Sequence, residues 1–134
     1  MGTNKMLGGG GFHHVALKVK NFDASVAMYK NVLGCAEAAA WGEGAGRGIM
    51  LDTGDGACFE IFAGGSGEQP ANGFYHLALR TTRLDDVLAG VRAAGLTVTM
   101  DAKDIVIPSN PPLAARIAFF SGPDGESIEL FQTV

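Results

Sequence analysis

An internal repeat constrains this chain more than any other feature. Residues 14–34 read HVALKVKNFDASVAMYKNVLG, and residues 76–95 read HLALRTTRLDDVLAGVRAAG. Each opens on a histidine (His14, His76), runs through an aliphatic residue, Ala and Leu to a base (Lys18, Arg80), and closes on Gly34 or Gly95. An acid, Asp23 or Asp85, sits at the matching place in each. A second block follows in the same order, DGACFEIF at 55–62 and DGESIELF at 124–131. The histidines are offset by 62 residues and the glutamates Glu60 and Glu129 by 69, so the later copy carries seven extra residues. The proline-containing stretch DIVIPSNPP (104–112) is where a surface loop would absorb them. The 134 residues therefore read as one domain of two modules, 12–63 and 74–134, each too small to be stable alone. Residues 64–73 (GGSGEQPANG) join them, and residues 1–11, ending in four glycines, read as a flexible leader.

Periodicity gives both copies the same local structure. In FHHVALKV (12–19), Val15, Leu17 and Val19 alternate with His14, Ala16 and Lys18, the period of a strand. Phe22, Val26, Tyr29 and Leu33 then recur at helical spacing, with Asn21 or Asp23 as the cap and Gly34 as terminator. Leu84, Leu88 and Val91 repeat that stripe before Gly95. Short β-rich pieces follow in each copy, with DTGDG and SGPDG as turns. The unit is β-α-β-β-β, written twice. Such a unit covers one sheet face with its helix and leaves the other open. The expected fold is α+β, two tandem βαβββ modules forming a curved mixed sheet around a metal-binding cleft.

Composition narrows the function classes. With 47% hydrophobic and 18% charged residues, the chain can bury a core, and disorder is excluded. A formal net charge of −4 argues against a nucleic-acid partner, which needs a basic face to displace counterions. No apolar run reaches the roughly 18 residues that would span a bilayer. Cys35 and Cys58 have no CxxC or zinc-type spacing and read as reduced, buried thiols of a cytoplasmic protein.

The same alternation decides where the polar strand residues point. His14 and His76 lie opposite the helix-packing aliphatics, Glu60 lies opposite Phe59 and Ile61, and Glu129 lies opposite Ile128 and Leu130. A single strand histidine or glutamate usually means no more than a solvated face. Two imidazoles and two carboxylates recurring in register suit a divalent transition metal, with open positions for water or substrate. His13 falls on the other face and has Tyr75 as its counterpart, so it is assigned to packing.

HVALKV, YKNVLG, FEIF, HLALR and GPDGESIELF resemble the vicinal oxygen chelate superfamily, which includes glyoxalase I, fosfomycin-resistance and extradiol dioxygenase proteins. The resemblance covers residues 12–132. It implies paired βαβββ modules around one divalent metal, in a homodimer whose protomers exchange modules in some members. The ligand set His14, Glu60, His76 and Glu129 resembles the glyoxalase I branch, with nickel or zinc as the usual metal and iron or manganese as the others. Extradiol and fosfomycin branches lack the acid at the position of Glu60.

That resemblance implies proton transfer through a metal-bound enediolate on a 2-oxoaldehyde adduct. By resemblance Glu129 is the expected base and Glu60 its partner or second base, which the sequence alone does not separate, and a thiol is a candidate co-substrate. Where glutathione-dependent glyoxalases carry Arg, Asn and Arg, this chain has Lys18, Gly64 and Asn72, which leaves the thiol open. Lys18, Arg80 and Arg116 are candidate contacts for an anionic small-molecule substrate. Phe62 and Phe120, with Trp41, Met100 and Phe131, are candidates for an apolar wall. Two readings stand beside this one: a thiol transferase or extradiol-type dioxygenase using His14, His76 and Glu129, and a non-catalytic binding protein of the bleomycin-resistance type.

Overall fold

A computed structural model of the chain describes residues 3–6, 8, 11–69 and 73–134. Parts of the leader, and residues 70–72 of the joint including Asn72, lie outside the described residues. The first module runs β1 (His14–Lys18), α1 (Phe22–Asn31), β2 (Ala36–Trp41), β3 (Gly48–Asp52) and β4 (Cys58–Phe62). The second runs β5 (Leu77–Arg80), α2 (Leu84–Ala93), β6 (Val98–Ile107), β7 (Leu113–Ser121) and β8 (Ser127–Thr133). This is the expected α+β pair of βαβββ modules. Each module has its own four-stranded mixed sheet, ordered β1-β4-β3-β2 and β5-β8-β7-β6. In both, the first strand lies parallel to the last, and the remaining neighbours are antiparallel.

Local chemistry explains the element ends. The Asn21 side chain accepts a hydrogen bond from the Ala24 N–H at 3.0 Å and caps α1, with Asp23 in the first turn and Lys30 in the last. α2 has no cap from Arg83; Gln132 on β8 accepts from the Leu84 N–H at 2.9 Å instead, so the cap comes from the sheet. Gly34 takes φ +71°, the left-handed turn that ends α1 at little steric cost.

The helices cover the aliphatic face of each sheet. Leu51, Phe59, Ile61 and Tyr29 in one module and Leu84, Leu88, Val91, Phe120, Ile128 and Leu130 in the other form one contiguous core. The helical stripe of α2 is buried as the pattern predicts, whereas on α1 it is Ser25, Met28 and Tyr29 that are fully covered. Polar contacts, one of them buried, also tie the two modules together. The Tyr29 hydroxyl donates to Glu126 at 3.1 Å, the Lys20 N–H donates to Asp124 at 3.0 Å, and the Gln69 side-chain amide donates to the Asp124 carbonyl at 3.3 Å. The seven extra residues lengthen the β6–β7 hairpin. Residues 104–107 continue β6 rather than opening a loop, with Asp104 opposite Arg116 and Ile107 opposite Leu113.

Candidate metal centre

Register builds the same constellation twice on the uncovered faces. His14 lies opposite Cys58 on β4, and Glu60 lies opposite Ala16, so the two are diagonal neighbours on one face. His14 Nε2 stands 3.5 Å from Glu60 Oε1. In the second module Ala78 lies opposite Glu129 and His76 immediately precedes β5, giving His76 Nε2 to Glu129 Oε2 at 3.0 Å. All four residues lie on the face opposite the helices, where alternation puts them. Within one chain they come together as two pairs, and no three His, Cys, Asp or Glu side chains converge among the described residues.

The donors suit a divalent ion. Imidazole nitrogen with carboxylate oxygen is the mixed set that zinc, nickel, iron and manganese accept. Glu129 is only 7% exposed, and its carboxylate has the His76 imidazole as its ionic partner. A carboxylate this covered is costly without a cation or a protonated partner. His76 Nδ1 is buried with no hydrogen-bond partner among the described residues. Each pair therefore fits as half of a four-donor site. Cys58 shares the face of Glu60, and burial, with Asp52 and Asp55 nearby, pushes its thiol above the ordinary value.

The surrounding candidates divide. Lys18 lies opposite Phe62 and Arg80 opposite Phe131, both bases exposed on the open faces and in equivalent places. Trp41, Gly48, Phe62 and Lys18 form one row across the first sheet. The Trp41 indole lies over Gly48, where a Cβ would strike the ring, and meets Phe62 edge-on at 6.0 Å. Arg116 and Phe120 are corrections. Phe120 pairs with Ile128 on the helix-covered face and is fully buried. Arg116 shares that face and is held by Asp85 at 2.9 Å and Asp104 at 3.1 Å. Alternation along this strand is as expected, but its register against β8 sets which face is open, and single-strand periodicity does not carry register. On this strand the aromatic on the open face is Phe119, paired with Glu129 and edge-on to the His76 ring at 5.2 Å.

His13 is the other correction. It is exposed, and its Nδ1 lies 2.9 Å from His14 Nδ1. It precedes the strand, so the alternation that placed it on the helix side does not govern it. The HH doublet was the available signal.

A model of the Glyoxalase/Bleomycin resistance protein/Dioxygenase superfamily matches residues 11–130. No curated protein matches the chain. Solved structures share the fold. The genomically encoded fosfomycin resistance protein FosX of Listeria monocytogenes is 19% identical, with 93% of this chain and 94% of that chain covered and a TM-score of 0.70. A glyoxylase/bleomycin resistance protein/dioxygenase domain from Frankia sp. EAN1pec is 20% identical over 93% of each chain, with a TM-score of 0.75. TnmS3, an antibiotic binding protein from Streptomyces sp. CB03234, is 22% identical, with 93% and 97% covered and a TM-score of 0.66. FosX has also been crystallised in complex with Mn(II).

Proposed function

The chain belongs to the glyoxalase/bleomycin resistance protein/dioxygenase superfamily, and from that membership we propose that it is a metal-dependent, glyoxalase-I-like lyase or isomerase. The observation that carries the reading is the twofold repetition of an imidazole–carboxylate pair, His14 with Glu60 and His76 with Glu129, on the two uncovered sheet faces. These four residues would hold one divalent ion, nickel or zinc before iron or manganese. When bound, it supplies Lewis-acid polarisation of a substrate carbonyl. Glu129 removes a proton from the carbon beside that carbonyl and returns it to the neighbouring carbon, with Glu60 as the second carboxylate. Lys18 and Arg80 orient an anionic end of the substrate, and Phe62 with Trp41 shields the reacting atoms from water. The substrate class is a 2-oxoaldehyde adduct or a similar small carbonyl compound, with a thiol as candidate co-substrate.

One chain carries the donors as two pairs, so the proposal includes a homodimer in which a second copy brings the complementary pair to each site. The exposed aromatics Phe12, Phe74 and Tyr75 beside the two histidines support such an interface. Acidic composition and two free, buried cysteines favour a cytoplasmic location, and among the described residues no helix is long and apolar enough to cross a membrane.

The test is turnover of methylglyoxal with candidate thiols by nickel- or zinc-loaded protein. Turnover that falls about 10²–10⁴-fold in Glu129→Gln supports the reading. Loaded protein that is inactive, but consumes oxygen on a catechol with iron, supports the dioxygenase alternative and overturns it. The separation of the donors into two pairs in one chain favours a second reading, a metal-free small-molecule binder. Tight binding of an antibiotic by protein that takes up no metal would establish that one instead.

A further inference from the structure

His13 stands against a proposed metal ligand yet belongs to neither pair. Its Nδ1 and that of His14 lie 2.9 Å apart, with the rings almost perpendicular at 84°. Two imidazole nitrogens at that distance share one proton, one donating and the other accepting. His14 turns its other nitrogen, Nε2, towards Glu60. For Nε2 to offer a lone pair to a cation, the ring's remaining proton must sit on Nδ1, where it needs an acceptor. His13 Nδ1 is in place to be that acceptor. Its backbone is pinned as well, because the His13 carbonyl accepts from the Cys58 N–H at 2.9 Å, at the start of the strand that carries Glu60.

The second copy lacks this device. Tyr75 occupies the matching position with its ring 5.3 Å from that of His76, and His76 Nδ1 is buried without a partner among the described residues. The two half-sites, alike in their ligand pairs, differ in the support behind the imidazole.

We propose that His13 is a positioning residue for His14, accepting the His14 Nδ1 proton so that Nε2 is fixed as the metal-binding nitrogen, which makes the first half-site the pre-oriented one. The inference rests on the metal-dependent reading above. Because His13 is exposed, replacing it leaves the core untouched.

The experiment measures zinc and nickel affinity of the full chain by chelator competition, in wild type, His13→Ala, His13→Asn and His14→Ala. His13→Ala is expected to bind about 10–100-fold more weakly. His13→Asn is expected to stay near wild type, since its Oδ1 takes the place of the imidazole Nδ1 and accepts the same proton. Nitrogen-15 spectra of the zinc-loaded wild type should show His14 protonated on Nδ1. Wild-type affinity in His13→Ala, or an equal loss in His13→Asn, overturns the positioning role and leaves the metal reading standing. Wild type that takes up no metal, or His14→Ala that binds as wild type does, overturns the metal reading and the inference with it.

Discussion

At the scale of single residues, the site depends on which side chains share a face and on what supports them. Glu60 and Glu129 are the residues whose removal is most informative, because each is the carboxylate of its imidazole–carboxylate pair. Glu60→Gln keeps the shape and removes the charge. It should weaken divalent-metal affinity at least about tenfold, as isothermal titration with zinc would show; unchanged affinity would remove Glu60 from the ligand set. Gly48 is a different kind of requirement. A Cβ there would strike the Trp41 indole, so Gly48→Ala must push the ring off the sheet. Trp41 is the chain's single tryptophan and is 41% exposed. Its emission should shift to the red, with a stability loss of about 1–3 kcal/mol from overpacking; an unshifted spectrum would contradict the packing of the indole over Gly48.

At the scale of elements, alternation and helical spacing were enough to place β1, α1, β4, β5, α2 and β8, because each has one buried and one open face. Leu88, fully covered on α2, shows how firmly that stripe is used. Leu88→Ala should cost about 2–5 kcal/mol, read from denaturant unfolding. What alternation could not supply was register between strands. Nothing in the strand of Arg116 and Phe120 says which face α2 covers, and the pairing of Phe120 with Ile128 settles it. The β6–β7 hairpin escaped for a related reason: prolines at 108, 111 and 112 mark a turn, but strand pairing continues up to Ile107. His13 escaped because it sits one residue before the alternation begins.

The turn before β8 adds a pH-dependent element. Burial pushes the Glu126 carboxyl above its ordinary value of 4.5, while backbone amides and the Tyr29 hydroxyl partly offset this. A carboxyl raised in the folded state stabilises below its unfolded value, and that contribution is lost as pH rises through the folded value. Glu126→Gln does not ionise. Its melting temperature relative to wild type should therefore be higher at pH 7.5 than at pH 4, by thermal unfolding at both values. A difference independent of pH would mean that Glu126 titrates in the folded protein as it does in water.

At the scale of the whole molecule, duplication explains both the fold and the pairing of its donors. Two small modules share one core, and the hydrogen bonds of Tyr29 with Glu126 and of Lys20 with Asp124 link them. Each module leaves an uncovered face with one imidazole, one carboxylate, a base at Lys18 or Arg80, and an aromatic wall. Repetition made these residues legible from the sequence, since recurrence in register separates a repeated pair from polar residues scattered over a surface. How the two faces are set against each other was not legible, because that depends on packing between modules and between copies. The proposed function requires that His14, Glu60, His76 and Glu129 together hold one metal ion. It is tested most directly by metal content of the chain purified without chelators and reloaded with nickel or zinc, measured beside its mass in solution. One ion per chain is expected in a particle of twice the 13.9 kDa chain mass, with the ion lost in both Glu60→Gln and Glu129→Gln. Replete protein without stoichiometric metal, or with metal that both variants retain, would contradict it.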